Sequence, residues 1–155
     1  SDPIANVETG KEAIRAQTGR YPNTLLISAL TYKALRVHSK IVDRIKYTGR
    51  DVATPELLAS LFGVANVVVG VYADASGNLT DVWGKTAVLA ITETATLADL
   101  GVPSYGYTYR LRGAPIVEVP YEDRQAKSFV YPVTDEVSAV IAGASAGYLI
   151  SPTVA

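Results

Sequence analysis

Tyr105-Gly106-Tyr107-Thr108-Tyr109-Arg110-Leu111-Arg112 alternates residue by residue. Tyr105, Tyr107, Tyr109 and Leu111 fall on one side of an extended segment, and Gly106, Thr108, Arg110 and Arg112 on the other. That is the period of a β-strand with one half-wet face. Two further strand candidates follow, Ile116 to Tyr121 and Phe129 to Val133. The charged run Glu122-Asp123-Arg124-Gln125-Ala126-Lys127 between them reads as a hairpin tip. Pro115, Pro120 and Pro132 cannot donate to a ladder, so these strands are expected at edges rather than at a sheet centre.

Working outward, the first half of the chain alternates helix signals with short strands, and helices followed by a late antiparallel hairpin define the α+β class. Asp2 can accept from the free N–H groups of a first turn, Pro3 sits where its missing N–H costs nothing, and Gly19 can end the helix in the left-handed conformation. Ile4, Val7 and Ile14 form one apolar face of that helix, while Glu8/Lys11 and Glu12/Arg15 stand at neighbour spacing on the other. Thr24 to Ile27 reads as a strand, Ser28 as the N-cap of a helix to about Val37, and Ile41, Val42 and Ile45 as a continuing apolar stripe. Thr54-Pro55-Glu56 repeats the cap-then-proline signal ahead of Leu57, Leu58, Leu61 and Phe62, closed by Gly63. The valine-rich run from Asn66 to Tyr72 is expected as a strand covered on both faces, Ser76-Gly77-Asn78 as a turn, and Thr86 to Thr92 as the next strand.

Composition excludes several function classes. The 155 residues are 48% hydrophobic and 19% charged with a net charge of -1, too apolar for disorder and too neutral to grip phosphate along the whole chain. Without cysteine there is no disulfide scaffold, thiolate metal site or cysteine nucleophile. Any Ser-His-Asp triad would need the single histidine, His38, which is expected facing solvent or at a helix end. The adjacent acids Glu122/Asp123 and Asp135/Glu136 point to opposite faces of a strand and read as solvated turns. Gly84-Lys85-Thr86 is no phosphate loop, because Leu79 stands where the first glycine of that pattern belongs. Gly143-Ala144-Ser145-Ala146-Gly147 reads as close backbone packing. Catalytic, cofactor-binding and metal-binding residues are therefore expected to be none. The apolar run Val137 to Ile150 is interrupted by Ser138, Gly143, Ser145 and Gly147 and falls short of the roughly 20 residues of a bilayer span, so no membrane partner is expected. No methionine occurs, at position 1 or elsewhere, and the expectation is a piece of a longer product.

Two groups are candidates for assembly contacts. Ten tyrosines stand against one tryptophan and two phenylalanines, and tyrosine suits surfaces dry in an assembly and damp outside it. Tyr105, Tyr107 and Tyr109 read equally as an interface and as an ordinary sheet face with its hydroxyls in water. Glu122, Asp123, Arg124 and Lys127 place two acids and two bases together, so that rotation-related copies can pair acid to base. A solvated turn is the other reading of that segment.

Four stretches in order resemble the major capsid protein family of tailed bacteriophages and prophages, the Hong Kong 97-like shell fold. They are Arg20 to Ser28, Ile41 to Tyr47, Glu56 to Val64 followed by the valine run, and Val82 to Ala90. The resemblance implies a spine helix of a peripheral domain at 1–20, a mixed-sheet axial domain at 21–104, a long peripheral β-hairpin at 105–136 and a return to the axial domain at 137–155. By that order the apolar face of the first helix meets the late hairpin, and the hairpin tip lies near local three-fold positions. The function implied is structural and not enzymatic: self-assembly into the pentamers and hexamers of an icosahedral head that encloses DNA, in the virion, after synthesis in the host cytoplasm. The partners implied are further copies, scaffolding or portal proteins, and packaged DNA held non-specifically. Family members carry an N-terminal arm and an extended loop that no stretch here matches, so the chain is expected to be a C-terminal portion, monomeric or weakly oligomeric by itself. An encapsulin-like nanocompartment shell protein and a small α+β enzyme or ligand-binding domain remain as alternatives.

Overall fold

The structure, a computed structural model, describes residues 2–46, 53–70, 72–73, 79–80, 84–93 and 103–151. The expectations for Tyr47, for the turn at 76–78 and for Val82 and Trp83 lie outside these residues. In chain order the elements begin α1 (Pro3–Thr18), β1 (Thr24–Ser28), α2 (Ala29–Val37), α3 (Ser39–Ile45), α4 (Pro55–Phe62), β2 (Asn66–Gly70), β3 (Tyr72–Ala73) and β4 (Leu79–Thr80). They continue β5 (Ala87–Ala90), β6 (Gly106–Arg110), β7 (Ile116–Val117), β8 (Tyr121–Asp123), β9 (Ser128–Val130), β10 (Val133–Thr134) and β11 (Val137–Ile141). A 3₁₀ turn (Ala144–Ala146) and β12 (Gly147–Ile150) close the series. The chain is α+β and divides into two compact units, Ser1–Tyr105 with Gly143–Ala155, and Gly106–Ala142.

In the first unit the helix boundaries follow the capping chemistry. Asp2 Oδ1 accepts from the Ile4 N–H at 3.1 Å, and Gly19, at φ 74°, donates its N–H to Arg15 O at 2.8 Å. Ser28 Oγ accepts from the Thr31 N–H at 3.1 Å to open α2, and Thr54 Oγ1 from the Leu57 N–H at 3.3 Å to open α4. The sheet runs in the order β12-β5-β1-β2, with β1 parallel to β2 and antiparallel to β5, which is in turn antiparallel to β12. Its central strands bury Leu25, Ile27, Ala87 and Leu89 against Val7, Ile14, Ile41, Leu58 and Phe62. The valine run corrects one expectation. β2 is not covered on both faces: it lies at the end of the sheet order, and Val68 is 45% exposed. Branched side chains favour an extended backbone, but they do not choose a position in the sheet. The strand buried throughout is the shorter β5.

The apolar face of α1 also finds a partner other than the expected hairpin. Val7, Gly10 and Ile14 are buried where α1 lies on β12, the 3₁₀ turn, β5 and α4, all within its own unit. Gly10 makes the approach possible: a Cβ there would stand 2.7 Å from Leu89 Cδ1 and 2.8 Å from Tyr148 Cδ1. Lys11 reinforces the seat, donating to the Phe62 carbonyl at 3.0 Å, near the end of α4, and to Glu8 Oε1 at 2.9 Å. At the end of β1, Asn23 accepts from the Thr92 N–H at 2.9 Å and donates to Thr92 O at 2.6 Å, while its own carbonyl receives the N–H groups of Ala65 and Asn66.

Ile14→Ala should lower stability by about 2–5 kcal/mol, the usual cost of a cavity under a buried branched side chain. Gly10→Val should cost at least about 1–3 kcal/mol, because the branched chain must displace Leu89 or Tyr148. Urea midpoints of both variants would check these values.

A second expectation concerns pH. The Lys40 ammonium, aided by the Ala5 and Ile4 N–H groups, holds the Asp2 carboxyl below its ordinary range. The hydroxyl of Tyr21 and then the Arg15 guanidinium do the same for Glu12. A carboxyl depressed in the folded state stabilises above its unfolded value, and that contribution is lost as pH falls through the folded one. The melting temperature should therefore decline from about pH 4 downward, and Asp2→Asn should flatten that decline.

Candidate assembly surface

The second unit is a single antiparallel ribbon built from three successive ladders. β6 pairs with β11 from Gly106↔Ile141 to Arg110↔Val137, β7 with β10 at Ile116↔Thr134 and Val117↔Val133, and β8 with β9 from Tyr121↔Val130 to Asp123↔Ser128. Between the first two ladders the outgoing strand travels from Arg110 to Ile116 while the returning one covers only Thr134 to Val137. The surplus is folded into a turn in which Ala114 donates to Leu111 O at 3.0 Å and Gly113 takes φ 90°, a conformation that suits glycine. Beyond β7, Glu118 donates its N–H to Pro132 O at 3.1 Å, and the proline has no N–H with which to return the bond. Prolines thus interrupt the pairing, and the strand expected over Ile116 to Tyr121 is divided into β7 and β8. Every strand of the ribbon has an open side, as its prolines led one to expect.

The tip is narrower than the sequence suggested. Glu122 and Asp123 belong to β8, leaving Arg124 to Lys127 as the turn. Asp123 Oδ1 accepts from the N–H of Gln125 at 2.9 Å and of Ala126 at 3.2 Å, so this carboxylate shapes its own turn. Lys127 holds φ 48°, the left-handed conformation that reverses the chain into β9. Glu122, Arg124 and Lys127 are exposed, and no ion pair joins them to any described residue.

Of the three tyrosines, Tyr107 and Tyr109 share one face of β6, with ring centroids 6.3 Å apart and planes inclined at 55°. Tyr105 belongs to the first unit. Its N–H donates to Ile91 O at 2.9 Å, its carbonyl receives the Gly143 N–H at 3.2 Å, and its ring lies where a Cβ on Gly147 would come within 2.4 Å. The alternating pattern named all three, but only two stand on the ribbon. Sequence inspection missed the ion pair across the first ladder, in which Arg110 grips Asp135 through two bonds of 2.9 and 2.8 Å. Its signal was available only through the register, because Arg110 and Asp135 lie far apart in the chain. Sequence inspection also missed a greater property of the ribbon. No residue from Gly106 to Ala142 is buried. On one face of its middle section Val117, Val119, Tyr131 and Val133 are 73, 85, 70 and 60% exposed.

His38 joins α2 to α3 and is half-buried, at a helix end as expected. Among the described residues no cluster of three or more His, Cys, Asp or Glu side chains could hold a metal ion, and no helix is long and apolar enough to cross a membrane.

The fold resembles that of a phage-related protein from Bordetella bronchiseptica RB50, solved by crystallography. The two superpose with a TM-score of 0.87 over 99% of this chain and 50% of that one, at 40% identity. The major capsid protein of Burkholderia phage BcepMu is 42% identical over 156 aligned residues, covering 97% of this chain and 50% of that protein. The chain is related to the phage major capsid proteins. It spans about half the length of this curated relative. No family model matches the sequence.

Removing the Asp123 carboxylate should loosen the tip alone. In Asp123→Ala the Gln125 and Ala126 amides should exchange with solvent faster than in the parent chain, with the melting of the first unit unchanged. Unaltered exchange at both amides would show that the turn is held by other means.

Proposed function

We propose that this chain is the shell-forming portion of a phage or prophage major capsid protein with the Hong Kong 97-like architecture. In that reading residues 1–20 are the spine helix of the peripheral domain, 21–104 the axial domain, 105–136 the peripheral hairpin and 137–155 the return to the axial domain. The reading rests on the relationship to a phage major capsid protein over nearly the whole chain. The structural observation that supports it is the ribbon itself. A two-stranded ribbon without buried side chains is marginal by itself in water, and this one exposes a row of large apolar residues. Such a surface belongs against other protein, which in a shell means neighbouring copies. The work of the molecule is then geometric, in a virion wall, without chemical turnover. Scaffolding and portal proteins are partners of the same reading, as is synthesis in the host cytoplasm. The phage identity of the relative favours a viral head over an enzyme-enclosing compartment.

Within the shell, Tyr107 and Tyr109 are proposed to lie under neighbouring protein, while Tyr105 acts indirectly by setting the base from which the ribbon departs. The tip is proposed to meet symmetry-related tips through Glu122, Arg124 and Lys127, with Asp123 shaping the turn that presents them. Exposed ion pairs are each worth only about 0–1 kcal/mol, so they set register and salt sensitivity more than total stability. Arg124→Glu combined with Lys127→Glu, made in the longer protein, should impair shell formation in electron micrographs and sedimentation while leaving the subunit's melting temperature nearly unchanged. Shells of normal yield and size from that double variant would refute the tip contact.

A further inference from the structure

α2 and α3 carry a charge quite unlike that of the chain as a whole. Residues 29–46 hold Lys33, Arg36, Lys40, Arg44 and Lys46 against the single acid Asp43, in a chain with net charge -1. Lys33 and Arg36 stand one turn apart on α2 and Lys40 and Arg44 one turn apart on α3, and the two helices join at His38, whose extended backbone separates them. All five bases are exposed. Lys40 is occupied, since its ammonium donates to Asp2 Oδ2. Lys33, Arg36, Arg44 and Lys46 have no carboxylate partner among the described residues, and Arg36 instead lies 5.7 Å from the centroid of the Tyr32 ring.

Among the described residues a second copy offers no cluster of free acids as the complement to this surface. Of the described acids, Asp2, Glu8, Glu12, Glu93 and Asp135 are already in ion pairs, and Asp123 is engaged by its own turn. Those that remain are scattered, and Glu118 already accepts from the Thr134 hydroxyl. A concentration of exposed cations that meets few acids among the described residues suits an external polyanion, and duplex nucleic acid presents closely spaced phosphates. We infer that the exposed bases of α2 and α3 bind the phosphate backbone of double-stranded DNA without regard to sequence. This rests on the shell reading, which supplies DNA as the polyanion, and it deepens that reading by naming the surface. Four cations without a carboxylate partner among the described residues amount to a weak contact per copy, multiplied when many copies face one duplex.

Fluorescence anisotropy of the 155-residue chain with two labelled duplexes of unrelated sequence tests the inference. Both duplexes should bind alike, with log affinity falling against log salt at a slope of about three to four, or roughly 100-fold between 50 and 200 mM. Lys33→Gln and Arg44→Gln, made singly, should each reduce that slope by about one. The quadruple variant with Gln at 33, 36, 44 and 46 should lose nearly all binding, with its circular dichroism unchanged. Removal of three bases elsewhere, as Arg15→Gln, Arg20→Gln and Arg112→Gln together, should retain most of it. A parent slope below one overturns the inference without recourse to any variant, as does undiminished binding by the quadruple variant. If the quadruple substitution instead blocks shell formation by the longer protein while the chain shows no affinity for DNA, the surface is a contact between copies and the inference is wrong. Shells formed normally in the absence of DNA affinity would reject this inference and leave the shell reading standing.

Discussion

The seat of α1 on the sheet is the contact on which the first unit depends. Gly10 has no side chain, so the helix comes close enough for Val7 and Ile14 to be buried while Leu89 and Tyr148 fill the space beside it. Those two residues come from β5 and β12, strands contributed by distant parts of the chain. The helix thus covers the junction at which the chain's end is stitched into its middle. Each buried apolar side chain there contributes on the order of 1.5–3 kcal/mol of transfer free energy, well above any exposed ion pair in the molecule.

That stitching explains how a long ribbon can leave and re-enter the unit without weakening it. Ile91 donates to Ala146 O and Tyr105 donates to Ile91 O, both at 2.9 Å, and Gly143 closes the gate by donating to Tyr105 O at 3.2 Å. Tyr105 and Gly143 stand at the two ends of the ribbon, so its departure and return are tied together within the core unit. The loop-closure cost of the intervening residues falls on these bonds and on the pairing of β12 with β5. The ribbon beyond them buries no residue of its own. Its apolar residues are spent outward, an arrangement that is a liability in an isolated subunit and useful in one made to be surrounded.

Charge is distributed in keeping with this division. On α1 the bases and acids neutralise each other at helical spacing, Lys11 with Glu8 and Arg15 with Glu12, whereas on α2 and α3 only Lys40 meets a carboxylate among the described residues. The chain's near-zero net charge conceals that contrast, because a sum over all residues averages a basic face into an acidic remainder. A polyanion meets the local field of a face rather than the sum.

What the sequence determined by itself is local. The caps at Asp2, Ser28 and Thr54, the left-handed stops at Gly19 and Gly63 and the alternation from Gly106 to Arg110 are each decided by residues within a few positions, and each element stands where its signal stands. The four stretches that resembled capsid proteins carried the family through their order and spacing along the chain. Sheet position was not legible, because a valine run is equally extended at a centre or an edge, and which it occupies depends on what the rest of the chain leaves uncovered. The partner of α1 was not legible either: its apolar face declared that it would be buried, but β12, the 3₁₀ turn and β5 form a surface only once the chain has folded. Register is of the same kind. Arg110 meets Asp135, and Tyr105 parts from Tyr107 and Tyr109, through pairing set by the Leu111–Pro115 turn and by Gly143, a constraint between distant residues that no short window of sequence contains.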